Sequence, residues 1–235
     1  MKNTKRHVRK HLETLRAVKR ERHHHLIHKI HKKYRISKRT LFYVKEYGPH
    51  ANVPKTIIKE GLRIMLFASL VSSIGGLTLE QIKPVFLSII PLVILLPVMN
   101  GMIGGYGIII SSKFTTMLHE GRVIERWWRM PELKRMIAQV FIISLITAFM
   151  STAIAFTISI LSGFGLSSLA ASKILLISML DVVLLIGILT VISITAGLHF
   201  YRKHEDPNNF LIPITTSVTD FGNMIILSIL VVMLF

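Results

Sequence analysis

The sequence predicts an all-α polytopic membrane protein: five transmembrane helices, the second and the last of them interrupted, preceded by a basic cytoplasmic N-terminal arm. Three observations carry that expectation. Hydrophobic residues make up 51% of the 235, with a mean hydropathy of +0.55, outside the usual range of soluble domains. Charge is segregated, because 18 of the 29 Lys and Arg lie in residues 1–60 against four acids there, so that 14 of the 17 net positive charges sit in the first quarter. Beyond that quarter, five stretches are apolar over the roughly 20 residues that a helix needs to cross about 30 Å of hydrocarbon.

Taken in order, residues 1–54 form the arm. Its core, "KRERHHHLIHKIHKKYRISKR", sets His23, His24, His25, His28 and His31 among Lys and Arg. His24/His28 and His28/His31 have the i, i+4 and i, i+3 spacings that can share a metal on a helix, which would make the arm a metal or pH sensor. The plainer reading is a basic helix held by anionic lipid headgroups, each Lys or Arg contributing about 1 kcal/mol. Nucleic acid is disfavoured as a partner, since no aromatic stacking platform accompanies the charge. Gly48, Pro49 and Pro54 end the arm. No apolar run in the first 50 residues reads as a cleavable signal peptide.

The membrane domain, 55–235, follows. Its first span is Leu62–Leu79 and its second, Pro84–Ser112, carries no charge. "LPVMNGMIGGYG" within the second, with Pro97, Asn100, Gly101, Gly104, Gly105 and Gly107, is the expected interruption, and Gly101/Gly105 form a small-residue packing motif. The third span is Met136–Leu161; the fourth, Ile174–Phe200, contains Asp181; the fifth, Phe210–Phe235, contains Asp220, with Pro213 as its breaker. The arm and the loops Lys113–Arg135 and Tyr201–Asn209 are basic, whereas the loops Glu80–Lys83 and Ser162–Lys173 hold one Lys each. Since Lys and Arg are retained inside, five spans place the N-terminus in the cytoplasm and the C-terminus outside a cell membrane, with Trp127 and Trp128 anchoring at the inner interface.

The acids inside the spans are the chemistry. Asp220 lies about 15 Å into the last span at 1.5 Å per residue, and Asp181 is at similar depth in the fourth. A carboxylate there costs about 3 kcal/mol or more unless it faces the bundle interior or a wet path. Thr216, Asp220 and Asn223 are spaced i, i+4, i+7 on one face, and Thr215, Ser217 and Thr219 add neutral oxygens. Pro213 has no N–H for the carbonyl of Asn209, leaving an acceptor at the inner mouth. An oxygen-only set without sulfur or nearby His suits a hard divalent ion. For Asp181, an interhelical hydrogen bond and a part in transport both stand open.

At these residues the sequence resembles the MgtE-type magnesium transporters, and more closely their animal solute-carrier relatives, over the membrane part from about Lys55 to Phe235. "DPNNFLIPITTSVTD" is similar to the family pattern entering the last helix at Asp206, Pro207, Asn209, Pro213, Ser217 and Asp220. "LPVMNGMIGGYGIIISSKFTTMLHEG" is similar to its second-helix motif at Pro97, Gly101, Gly104 and Ser112, with Lys113-Phe-Thr-Thr where the family has Arg-Leu-Ser-Thr, and with Gly104-Gly105 where it usually has Gly-Asn. The resemblance implies a homodimer of five-helix subunits with its pore on the two-fold axis and a hydrated Mg²⁺, the transported ion, held by Asp220 from each subunit. Ser217, Asn209, Asp206, Gly101 and Gly104 join the candidate set on the same ground, and Asn100 joins it from the expected interruption of the second span.

The leading function is transmembrane transport of divalent cations, Mg²⁺ foremost. An exchanger coupled to Na⁺ or H⁺ is the alternative, and a passive membrane anchor for the basic arm a weaker one, since an anchor needs no acid at mid-membrane. No Ser/His, Cys/His or HExxH constellation points to an enzyme, and a chain without cysteine has no thiolate chemistry.

Overall fold

The structure is a computed structural model that describes residues 23–36, 41, 53–120, 127–165, 167–203 and 205–235. Its elements are α1 (His23–Tyr34), α2 (Val53–Ser88), α3 (Ile90–His119), a 3-10 turn at Trp127–Arg129, α4 (Pro131–Leu161), α5 (Ser168–Arg202) and α6 (Pro207–Leu234). The five helices α2 to α6 are each long and apolar enough to cross a membrane, and among the described residues there is no strand. All-α polytopic architecture is therefore what the chain adopts.

Pairwise contacts fix the directions of these helices. Ser111 bonds Ser193 at 2.9 Å and Gly107 abuts Leu189, so α3 and α5 run parallel. Gly222 faces Leu185 and Gly104 faces Thr219, so α6 runs antiparallel to both. Ser217 reaches Ala68 and Asp220 reaches Ser72, so α2 runs parallel to α6. The chain thus alternates at each crossing. One end of the bundle gathers Lys55, Lys59, Arg63, Lys113, Lys134, Arg135, Arg202 and Lys203; the other has Lys83 and Lys173.

The core is apolar and centred on α5, whose Ile174, Ile177, Val182, Leu185, Ile186 and Leu189 are fully buried. Helix α6 lies among α2, α3 and α5, while α4 covers the opposite flank of α3 and α5. Helix α2 is peripheral. It meets the bundle along one narrow stripe, Gly61, Ala68, Gly75, Ile82 and Phe86, and exposes Leu62, Met65, Leu66, Phe67, Leu70, Ile74 and Leu77. Seven-residue spacing of small side chains lets helices approach closely where apolar burial alone, in lipid, gives no driving force. A Cβ on Gly75 would lie 3.0 Å from the Phe221 backbone.

Three boundaries differ from the sequence reading. The expected loop Glu80–Lys83 is helical: α2 runs 36 residues to Ser88 and the chain turns at Ile89. The stripe explains this, since Ile82 and Phe86 extend the buried face past the charged pair, whose 3.4 Å contact points to solvent. Pro84 lies inside the helix near its C-terminal end, where its missing N–H removes one bond, to the Glu80 carbonyl, and the helix runs on for one more turn. The expected interruptions are also absent: α3 continues through Pro97 and its glycines, and α6 through Pro213. A helix embedded among neighbours keeps its other hydrogen bonds, and glycine here serves close packing, Gly104 against Thr219 and Gly107 against Leu189 and Thr215. A Cβ added at Gly101 or Gly105 would meet nothing within 4 Å among the described residues, so neither position demands glycine for packing within the subunit.

Of the arm, α1 and a small cluster of Ile30, Leu41, Tyr34 and Ile36 are described. His31 Nδ1 lies 2.6 Å from the Ile36 carbonyl. The side chains of His23, His24, His25 and His28, like Gly48 and Pro49, lie outside the described residues, as does the side chain of Trp128. Trp127 packs against the core.

Candidate cation site

Asp220 is the fourteenth of the 28 residues of α6, half-way along the helix. Its side chain is half-buried, and its Oδ2 accepts a hydrogen bond from Ser72 Oγ on α2 at 3.2 Å. One turn earlier Thr216 is exposed, its hydroxyl donating to the Ile212 carbonyl at 3.0 Å while its lone pairs stay available. Asp220 is therefore neither sealed in a dry core nor turned freely outward. It sits on an open edge of the α2–α6 seam.

The other candidates fall at different levels. Ser217 is buried and donates to the Ala68 carbonyl at 2.9 Å, tying α6 to α2. Asn223 is fully buried, and its Nδ2 donates to Asn100 Oδ1 on α3 and, at 3.5 Å, to the Leu96 carbonyl. Among the described residues Asn223 Oδ1 has no hydrogen-bond partner. Gly101 is exposed on the same flank of α3 as Pro97, whereas Gly104 is buried. Asp206 caps α6, its Oδ1 accepting from the Asn208 amide at 3.1 Å with His119 Nε2 3.6 Å away. Fourteen residues separate it from Asp220, about 21 Å along the axis, so the two do not share one ion. Asn209 Nδ2 donates to Glu60 Oε2 on α2 at 2.8 Å.

Asp181 stands apart. It is fully buried in α5, and among the described residues neither carboxylate oxygen has a hydrogen-bond partner. Among the described residues no interhelical hydrogen bond to it is formed. The structure thus brings together Asp220 with Ser72, Asn223 with Asn100 and Asn209 with Glu60, and gathers no single cluster of the whole set.

Helix α2 supplies what the sequence reading missed: Ser72, the Ala68 carbonyl and Glu60. Glu60 counted only as one of four acids in the basic quarter, and Ser72 as one polar residue in an apolar run. The signal that singles them out is the Gly61–Ala68–Gly75 spacing, which identifies the face of α2 turned to a partner helix. At the basic end a cleft of about 250 Å³ opens between α3 and α4, lined by Lys113, Thr116, Met117, Glu120, Glu132 and Met136, with no residue from α6.

Residues 96–230, that is 135 of 235, match the family model MgtE, described as a divalent cation transporter. The match is to the family as a whole and takes in most of α3 and α4 to α6, leaving α2 and the arm outside it. No match was found among curated proteins or among solved structures.

Proposed function

The chain belongs to the MgtE family of divalent cation transporters, and from that membership we propose that it carries hydrated Mg²⁺ through a pore at the interface of a homodimer, each protomer presenting Asp220. The observation that supports this reading is the placement of Asp220: mid-helix, half-buried, with Thr216 exposed one turn below on the same face. Lipid tails make a poor neighbour for that edge. A second copy of the same edge closes it and sets two carboxylates against one dication, so the charges balance where a lone carboxylate would cost about 3 kcal/mol or more.

Mg²⁺ sheds its water reluctantly, so a wide site of carboxylate, hydroxyl and carbonyl oxygens suits the aqua ion better than a tight cage. The exposed flank of α3 at Pro97 and Gly101 offers backbone without side-chain bulk, consistent with a wide lumen beside Asp220. Family membership also directs the reading away from enzymes and toward transport. By the retention of basic residues inside, the Lys- and Arg-rich end of the bundle is cytoplasmic, the N-terminus with it, and the C-terminus is outside.

The test is ion uptake into liposomes by wild type and Asp220→Ala, comparing Mg²⁺, Ca²⁺, Mn²⁺ and Co²⁺ at fixed pH and Na⁺. The proposal expects Mg²⁺ flux in the wild type and at least about a tenfold loss in the variant, the range expected when a charge-balancing group leaves a low-dielectric site. Undiminished flux removes Asp220 from the path, and flux that requires a Na⁺ or proton gradient turns the reading to an exchanger.

A further inference from the structure

The positive charge of the arm is concentrated where nothing acidic answers it. Between Glu21 and Glu46 there is no Asp or Glu, and α1 with the turn after it holds Lys29, Lys32, Lys33 and Arg35. Lys29, Lys32 and Lys33 have i, i+3, i+4 spacing, which sets the three on one arc of about 100° around the helix. Ile30 and Tyr34 take the adjoining arc. All three lysines and Arg35 are exposed, whereas Ile30 is buried.

The apolar arc is covered by the chain itself. Helix α1 ends at Tyr34 because Arg35 takes the left-handed conformation, φ 55°, while its amide still donates to the His31 carbonyl at 2.8 Å. His31 braces the reversal: its Nδ1 lies 2.6 Å from the Ile36 carbonyl, which can only accept, so the ring nitrogen donates. Ile36 and Tyr34 thereby pack against Ile30 and Leu41, which are 3% and 0% exposed. A helix that inserts into a bilayer needs its apolar side free to sink below the headgroups. In α1 the described part of that side is already occupied, and the lysine side is what stays open.

We infer that α1 lies against the anionic headgroups of the cytoplasmic leaflet through Lys29, Lys32 and Lys33, with Arg35 next in the turn, held there by charge and without burying an apolar face among the acyl chains. Only the eighteen residues 35–52 separate α1 from α2, so the headgroups around the bundle stand at high local concentration. Retention of Lys and Arg inside puts the arm beside the leaflet that carries the anionic lipid. Lipid phosphates spread their charge over a plane, which suits cations set along nearly two turns. Lys33 keeps its exposure even with its ammonium 5.4 Å from the centroid of the Tyr34 ring. Docking of this kind is independent of the path taken by the ion.

For the test, the full chain is reconstituted in nanodiscs of phosphatidylcholine alone or of phosphatidylcholine with phosphatidylglycerol. The initial rate at which a water-soluble acetylating reagent modifies each lysine is then read by mass spectrometry. Docking predicts that Lys29, Lys32 and Lys33 react at least about threefold more slowly in the anionic discs, and that about 0.5 M NaCl abolishes the difference. Lys32→Glu, an exposed change that leaves the Ile30 and Leu41 cluster alone, should shrink the lipid difference at Lys29 and Lys33 to less than about half. Equal rates in the two lipids, or slowing that Lys32→Glu leaves intact, overturns the proposal. So does slowing that survives the salt, which is the mark of an inserted helix. A short single-stranded RNA added to the neutral discs tests the rival occupant: protection by RNA there, with none from phosphatidylglycerol, overturns the choice of lipid.

Discussion

Asp220 owes its orientation to Ser72, whose hydroxyl engages Oδ2 from a different helix. Removing that donor leaves the carboxylate free to rotate, and hydrogen bonds to charged groups contribute about 1.5–3 kcal/mol. We expect Ser72→Ala to cut Mg²⁺ uptake at low concentration at least about threefold, with Ser72→Thr restoring it; equal uptake by all three proteins would deny Ser72 this role. Asp181 is the opposite case, buried with both oxygens unpartnered among the described residues. Threonine nearly matches it in volume, and its hydroxyl can return to the carbonyl four residues back, as Ser178 and Thr190 do on the same helix. Relief of an unsatisfied polar group is worth about 1–3 kcal/mol. Asp181→Thr should therefore raise the thermal midpoint in detergent and leave Mg²⁺ flux within about twofold of wild type. A stable variant without flux would instead place Asp181 in transport.

Among the elements, α2 and α6 pack closely along one seam, and their approach depends on glycine. At Gly75 an added Cβ would stand 3.0 Å from the Phe221 Cα and 3.1 Å from Met224 Sδ, so backbone would have to move. At Gly222 the nearest atom is closer, 2.6 Å, but it is the Leu185 Cδ2, the tip of a side chain that can change rotamer. Gly75→Ala should thus cost more than Gly222→Ala, about 1–3 kcal/mol in thermal unfolding, and should lower flux by prising Ser72 from Asp220. The reverse order of stability would mean that the α5–α6 contact, not the α2–α6 seam, sets the spacing. The same packing explains why proline and glycine misled at this scale. Pro97 and Pro213 mark where a free helix would break, yet both helices run on because neighbours on several sides hold them.

For the molecule as a whole, the five crossings and the segregation of charge were legible because apolar length and Lys/Arg asymmetry are one-dimensional signals. Asp220, Thr216 and Asn223 could be chosen because polar residues in a span stand out singly. What could not be read was which helix each would meet: Asn223 with Asn100 and Asn209 with Glu60 are contacts between residues more than a hundred positions apart. Nor could the sequence tell that Asp181 would be enclosed while Asp220 stayed on an edge, since both look alike along the chain. The central claim, that two such edges face each other around an ion, can be tested directly because the chain has no cysteine. Thr216→Cys places one thiol per protomer beside Asp220, and Ile143→Cys places one on the exposed face of α4. In reconstituted membranes treated with a short bismaleimide, we expect Thr216→Cys to give a covalent dimer, with bridging slowed by Mg²⁺, and Ile143→Cys to stay monomeric. Dimers through Ile143→Cys with none through Thr216→Cys would contradict the account.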